Sequence, residues 1–292
     1  MPESKITFRK FLQELVHGSI SGLSLVAIAH PVDTLKVRKQ VETFKYSEMI
    51  WNMIRKEGPL SFYKGVLSPM VSMPAFKSVL FCSYKLTLIK LEEDGIFKNN
   101  RDLQVGVASF VSGLVNSFVC GPTDLFKTKL QIQKDKKTRL YTGYYDIFKK
   151  TYKVSGYRGI FQGTGVTIYR DALGYPVHFI YYEKLLRYYG NGDRYKTNFL
   201  HHFLAGGISG VMCWVAVFPF DVVKSQIQAQ NLTTRVKFFN NNQVFRDMFK
   251  IYRYNGVSAL FHGMSIYFVR AFFGNGFCLA VWDWCQKNFK FA

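Results

Sequence analysis

The sequence is short of acid. Its 292 residues carry 19 Asp and Glu against 39 Lys and Arg, a formal charge of +20. Cysteine is sparse too. Cys82, Cys120, Cys213, Cys278 and Cys285 form no CxxC and no metal-ligand spacing, so they read as reduced, buried, small apolar residues and no metal site is expected. Also missing are a nucleophile–base constellation and a phosphate-binding loop after a strand, which leaves an enzyme without support. Residues Met1 to His17 hold neither a secretory apolar core with a cleavage site nor an Arg/Ser-rich presequence. Long clean apolar runs are absent as well, and the mean hydropathy is −0.01.

What the chain does have is six mostly apolar stretches of about 20 residues, roughly the length that spans a bilayer. They begin near Phe11, Val66, Leu103, Thr164, Phe199 and Met264. Glu14 and His17 interrupt the first, Lys77 the second, Arg170, Asp171 and His178 the fourth, and Arg270 the sixth. Ionisable groups at such depth are costly unless they face a protein interior or a wet cavity. Helices bundled round a water-filled lumen reconcile the spans with the low hydropathy. The Lys and Arg excess lies mainly at span ends and in connecting segments, which suits an anionic membrane surface and argues against nucleic acid.

Two signals recur three times. The first is His30-Pro31-Val32-Asp33-Thr34-Leu35-Lys36, with Gln40 four residues on; its later copies centre on Pro122-Thr123-Asp124-Leu125-Phe126-Lys127 with Gln131, and on Pro219-Phe220-Asp221-Val222-Val223-Lys224 with Gln228. The prolines stand 91 and 97 residues apart, about a third of the chain, which means three structural repeats. The second signal is a Gly followed five residues later by an aromatic-polar-Gly triplet: Gly58 to Gly65, Gly156 to Gly163 and Gly256 to Gly263.

These paired motifs, in register over nearly the whole chain, resemble the mitochondrial carrier family. The resemblance implies an all-α membrane protein with six transmembrane helices in three pseudo-symmetric repeats, 1–97, 98–193 and 194–292, each with a short amphipathic surface helix. The surface segments are Ser47–Lys56, Tyr144–Val154 and about Asn242–Tyr254, with Met49, Ile50, Met53 and Ile54 at helical spacing in the first. Gly18 and Gly22, Ser109 and Gly113, and Gly206 and Gly210 are small-xxx-small pairs that let neighbouring helices approach. Pro31, Pro122 and Pro219 should kink their helices and draw the ends together. The family also implies phospholipid phosphates, chiefly cardiolipin, at Gly65, Gly163 and Gly263; simple helix caps are the plainer reading. No other cofactor is expected.

Two gates follow from the resemblance. At the inner one, Asp33–Lys127, Asp124–Lys224 and Asp221–Lys36 would bridge adjacent helices, braced by Gln40, Gln131 and Gln228. Such pairs are individually weak when wet, which suits a gate that opens for modest binding energy. The outer gate departs from the family's aromatic-acid-x-x-base pattern. It reads Tyr84-Lys85-Leu86-Thr87-Leu88, Tyr182-Glu183-Lys184-Leu185-Leu186 and Trp282-Asp283-Trp284-Cys285-Gln286. Lys85 replaces an acid and all three bases are gone, so at most Lys85 would pair with Glu183 or Asp283.

Substrate contacts in the family fall seven or eight residues past the second-motif glycines, here at Ser72 and Met73, Arg170 and Asp171, and Arg270. Arg170-Asp171 sets a cation beside an anion, a receptor for a zwitterion, and Arg270 offers a planar fork for carboxylate or phosphate. Phe76 resembles the aromatic of carnitine-type carriers and could face a quaternary ammonium. Lys77 has two readings: in the lumen it favours anionic substrates, and snorkelling or paired it says nothing of substrate. The expected function is alternating-access exchange of a small carboxylate-bearing or zwitterionic metabolite (acylcarnitine-like, amino acid or related) across the mitochondrial inner membrane, by a monomer. The alternative is a carrier-derived, transport-inactive subunit of a larger inner-membrane complex.

Overall fold

The computed structural model describes residues 8–41, 46–63, 66–131, 142–192, 196–229 and 245–289, the last without 247, 251, 254–255, 257–260 and 262–263. Every regular element among the described residues is helical. In chain order these are α1 (Phe8–Val41), α2 (Tyr46–Glu57), a 3-10 turn (Pro59–Tyr63), α3 (Leu67–Glu93), α4 (Arg101–Gln131), α5 (Tyr144–Ile160), α6 (Thr164–Tyr189), α7 (Phe199–Ala229) and α8 (Met264–Asn288). The six long helices have 25 residues or more, at least about 37 Å at 1.5 Å per residue, against a hydrocarbon core of about 30 Å. Each repeat therefore contributes a first span (α1, α4, α7) and a second span (α3, α6, α8).

By length and composition alone, three helices qualify as membrane spans, within Phe8–Leu35, Arg101–Lys127 and Phe199–Lys224. All are first spans. The second spans carry Lys77, Arg170, Asp171, Arg270 and Asp283, so their polarity is concentrated where the interior chemistry lies. The first spans run on through Pro31, Pro122 and Pro219 to Val41, Gln131 and Ala229.

Glycine does two different jobs. Gly58, Gly156 and Gly256 all adopt φ between 61° and 79°, with open space where a Cβ would stand. The second motif keeps Gly there because the backbone is left-handed, not because room is short. In the first spans the reverse holds. A Cβ on Gly22 would lie 2.8 Å from Pro74 Cα and 2.9 Å from the Met73 carbonyl oxygen; on Gly113, 2.7 Å from the Asp171 oxygen; on Gly206, 2.9 Å from the Asn275 oxygen. Each first span thus presses backbone to backbone on the second span of its own repeat.

The surface elements follow the amphipathic expectation. On α2, Met53 is fully buried while Trp51, half-covered by the Arg55 guanidinium 4.6 Å from its ring centre, and Ile54 face outward. In α5 the surface helix runs from Tyr144 to a break at Gly156, close to the expected Val154, and a further helical turn continues to Ile160. Its first turn is fixed by Asp146, which accepts from Lys150 Nζ at 2.9 Å and the Thr142 N–H at 3.0 Å. The Lys150 bond, then the Thr142 N–H, hold the Asp146 carboxyl below the usual carboxylate range. In the third segment, Phe245, Arg246, Met248, Phe249, Lys250, Tyr252 and Arg253 are helical; the rest lies outside the described residues.

The chain divides into two compact units: Met1–Ser112 with Pro176–Val215 and Gly263–Ala292, and Gly113–Tyr175 with Ala216–His262. In the first, α1 packs along both α3 and α8. Its start is tied to the end of α8, where Gln13 and His17 Nε2 donate to the Phe289 carbonyl at 3.0 and 2.9 Å and Gln286 donates to Glu14 at 3.3 Å. In the second, fully buried Val166 and Val223 pack with Phe220 and Met248. Replacing Gly22 by Val should cost about 1–3 kcal/mol by overpacking at Pro74, read as a lower unfolding midpoint in detergent, whereas Gly95→Ala, with open space around it, should cost only what its positive φ demands.

Candidate functional site

The charges inside the spans are matched one by one. In the first unit Arg270 of α8 donates from Nε to Asp33 of α1 at 2.5 Å. Among the described residues this is the only bond that Arg270 makes, so its two terminal nitrogens keep their donor capacity. Gly210 of α7 lies against Asn275 and the Ala271 backbone, which fixes the α8 segment that carries Arg270.

In the second unit Arg170 of α6 donates from Nε to Asp171 at 2.8 Å and from Nη1 to Asp221 of α7 at 3.2 Å. Asp171 is buried and also accepts from Ser117 Oγ at 3.1 Å. The Arg170-Asp171 pair expected to receive a zwitterion is thus bonded to itself and to the motif carboxylate. Beside it, buried Lys224 donates to Asp124 at 2.5 Å, as the resemblance implied. Lys127 is half-buried and near enough to act on Asp124. The side chains of Lys36, Gln40, Gln131 and Gln228, and Gly65 and Gly263, lie outside the described residues.

A rule links these bonds. Arg270 and Arg170 both stand seven residues past a second-motif glycine, and each holds the motif Asp of the next first span in cyclic order, Asp33 and Asp221. The residue at that offset in the first repeat is Ser72, which cannot serve as a cation. The remaining motif Asp, Asp124, is held by Lys224 instead. The sequence showed the common offset of the arginines but not which carboxylates they reach, since that depends on helix packing.

The opposite end holds more charge pairs than the repeated motif alone suggested. The sequence allowed at most Lys85 as a partner for Glu183 or Asp283, and the structure adds bases from elsewhere. Arg101 of α4 lies 3.8 Å from Glu183, and Lys287 and His202 lie 2.7 and 3.2 Å from Asp283. Lys85 is close enough to Glu14 for their charges to interact. Arg187 pairs with Asp102, and Tyr182 and Thr197 bond the two nitrogens of buried His202 at 2.7 and 2.9 Å. The Arg101–Glu183, Arg187–Asp102 and His202–Asp283 bridges join the first and second spans of one repeat, Asp283–Lys287 lies within α8, and Tyr182–His202 joins α6 to α7 across repeats. The Asp283–Lys287 spacing, four residues on a helix, was a readable signal; the Arg101 and His202 contacts needed the tertiary structure.

Aromatic rings join the second spans at that end. Phe81 stacks on Trp282 at 4.7 Å between ring centres, Tyr84 on Phe179 at 4.2 Å, and Phe81 meets Phe179 edge-on at 6.2 Å. All four are buried. Of the remaining expected contacts, Ser72, Met73, Phe76 and Lys77 lie half-buried along α3, and Gly163 turns the chain into α6 at φ 81°.

Three repeats of paired spans, with ion pairs at both ends and interior arginines, define a multi-pass membrane transporter of the small-solute carrier class. A family model described as mitochondrial carrier protein matches residues 8–94, 100–193 and 195–292, and the chain belongs to the mitochondrial carrier family. It is accordingly a transport protein of the mitochondrial inner membrane and not an enzyme. It is 31% identical to the mitochondrial arginine transporter BAC1 of Arabidopsis thaliana, over 98% of each chain. It is 30% identical to the mitochondrial basic amino acids transporter of Homo sapiens, over 89% of this chain and 84% of that one. The Homo sapiens mitochondrial carnitine/acylcarnitine carrier protein is also 30% identical, over 96% and 95%.

Asp124→Asn and Lys224→Met should each destabilise the protein by about 1–3 kcal/mol, with the double variant closer to wild type than the sum of the two, since each single change strands a charge. Trp282→Ala should cost about 3–5 kcal/mol. Unfolding midpoints in detergent measure both.

Proposed function

We propose that this carrier moves a small carboxylate-bearing metabolite, and that the substrate works the inner gate by competing for Arg270. The observation that carries this reading is the single Arg270–Asp33 bond at 2.5 Å. Arg270 uses only Nε for it, while a guanidinium can grip a carboxylate through two parallel donors. A substrate carboxylate that takes Arg270 frees Asp33, and the freed carboxylate becomes available to a gate lysine. Binding and gating are then one exchange of partners, with little net cost. Arg170, with Asp171 and Asp221, provides a second such latch with a larger acidic complement, suited to an ammonium or guanidinium group. Arginine, other basic amino acids and carnitine esters, named for the relatives, each bring a carboxylate for Arg270. Ser72, Met73 and Phe76 would shape the rest of the contact. Exchange by alternating access, as a monomer, is the mode this scheme needs.

Cardiolipin phosphates at Gly65, Gly163 and Gly263 belong to the same reading; it is supported at Gly163, which directly precedes the N-terminus of α6, the positive end of a helix dipole. A second reading, a non-transporting subunit of a larger inner-membrane complex, draws support from the lateral bonds of Glu183 and Asp283, which occupy the acids of the outer gate. Migration of the native protein near 33.8 kDa plus its micelle favours the carrier; stable co-migration with a large complex favours the subunit.

In liposomes loaded with arginine or carnitine, Arg270→Ala should abolish exchange and Arg270→Lys should restore little, lacking the fork. Asp33→Asn should strengthen apparent substrate affinity about 10-fold, equivalent to about 1.4 kcal/mol, while slowing exchange because closure loses its carboxylate. Wild-type exchange by Arg270→Ala would overturn the proposal.

A further inference from the structure

Lys77 lies ten residues into α3, about 15 Å along the helix from its start and so near mid-membrane, away from lipid headgroups. It is half-buried, and among the described residues no carboxylate comes within ion-pair distance. Its ammonium rests 5.7 Å from the centre of the Phe81 ring. Its charge acts on His178 of α6 and Cys278 of α8, both buried, so it is directed into the protein and not toward lipid. The buried Nδ1 of His178 has no hydrogen-bond partner. A cation and an orphan ring nitrogen therefore share one place among α3, α6 and α8 of the first unit. An ionisable group at this depth without a protein counter-charge marks a substrate path.

We propose that Lys77, with His178 beside it, is an anion-recognition point that takes a second acidic group of the transported molecule, a carboxylate or a phosphate. This rests on the transport reading above and narrows its substrate class. Cys278 stands eight residues past Arg270 on α8, about 12 Å along the axis. Two cations are thus set at different heights in one interior, and Asp33 offsets only the Arg270 charge. A molecule with acidic groups at both ends meets both. The side chain of a basic amino acid would instead meet the like charge of Lys77. His178 adds a ring nitrogen that can bond a hydroxyl or a protonated oxygen of the ligand.

The test is thermal unfolding of the purified full-length protein in detergent with C4 to C6 dicarboxylates, inorganic phosphate, arginine and carnitine. A dicarboxylate or phosphate should stabilise the wild type. Lys77→Ala should weaken that apparent affinity about 10-fold or more, and Lys77→Arg should keep it; Lys77→Gln serves if the alanine variant misfolds. The proposal is overturned if no dicarboxylate or phosphate shifts the wild type, or if a folded Lys77 variant binds them as the wild type does. It is also overturned if only cardiolipin vesicles, and no soluble anion, distinguish Lys77→Ala from wild type. Loss of exchange in Arg270→Ala, measured in liposomes loaded with a C4 to C6 dicarboxylate as well as with arginine or carnitine, tests the transport reading separately.

Discussion

A charge inside a membrane-spanning helix has to meet another charge, a hydrogen bond or water, and much of this protein is arranged round that demand. The two interior arginines answer it with the motif aspartates: Arg270 with Asp33, Arg170 with Asp171 and Asp221. Removing a partner strands a charge, whereas exchanging one carboxylate for another costs little. That asymmetry allows an ion pair to hold a conformation firmly and yet yield to a ligand of the right chemistry. The same pairs that keep the spans together can therefore respond to substrate.

The two ends of the spans solve the demand differently. Where Lys224 meets Asp124, the contact joins helices of different repeats. Where Arg101 meets Glu183 and His202 meets Asp283, it joins helices of one repeat. A bond within a repeat braces that repeat, while Tyr182 with His202 and Glu14 with Gln286 tie neighbouring repeats at the same end. Contact between the second spans at this end falls to Phe81, Tyr84, Phe179 and Trp282. Aromatic packing depends on apolar area and ring geometry, so it is insensitive to salt in a way that ion pairs are not. Loss of the family's outer bases has thus not left this end without cohesion.

Small residues put these groups in place. Gly22 brings α1 against the backbone at Met73 and Pro74, Gly113 brings α4 against Asp171, and Gly210 brings α7 against Ala271 and Asn275. In each repeat a close backbone approach falls beside the segment that carries the interior chemistry. Larger side chains there would move the arginines by more than a hydrogen bond tolerates.

By itself the sequence determined the three repeats, the six spans and the list of interior charges. Periodic proline, glycine and acid–base spacing are local properties that survive without coordinates. Helix starts at Thr164, Phe199 and Met264 fall near where the apolar stretches were expected to begin, because a glycine turn or a polar loop ends there. The recurring glycines at 58, 156 and 256 were visible as a pattern, but their left-handed backbone was not. Partner choice belonged to the tertiary structure. Asp33 and Arg270 are 237 residues apart, and nothing in their local spacing says that α8 packs along α1. For Lys77 the sequence left two directions open, and its place over the buried Phe81 ring came only with helix packing. Spacing along one helix fixes which residues share a face, whereas the identity of the opposing face is set only when the helices meet.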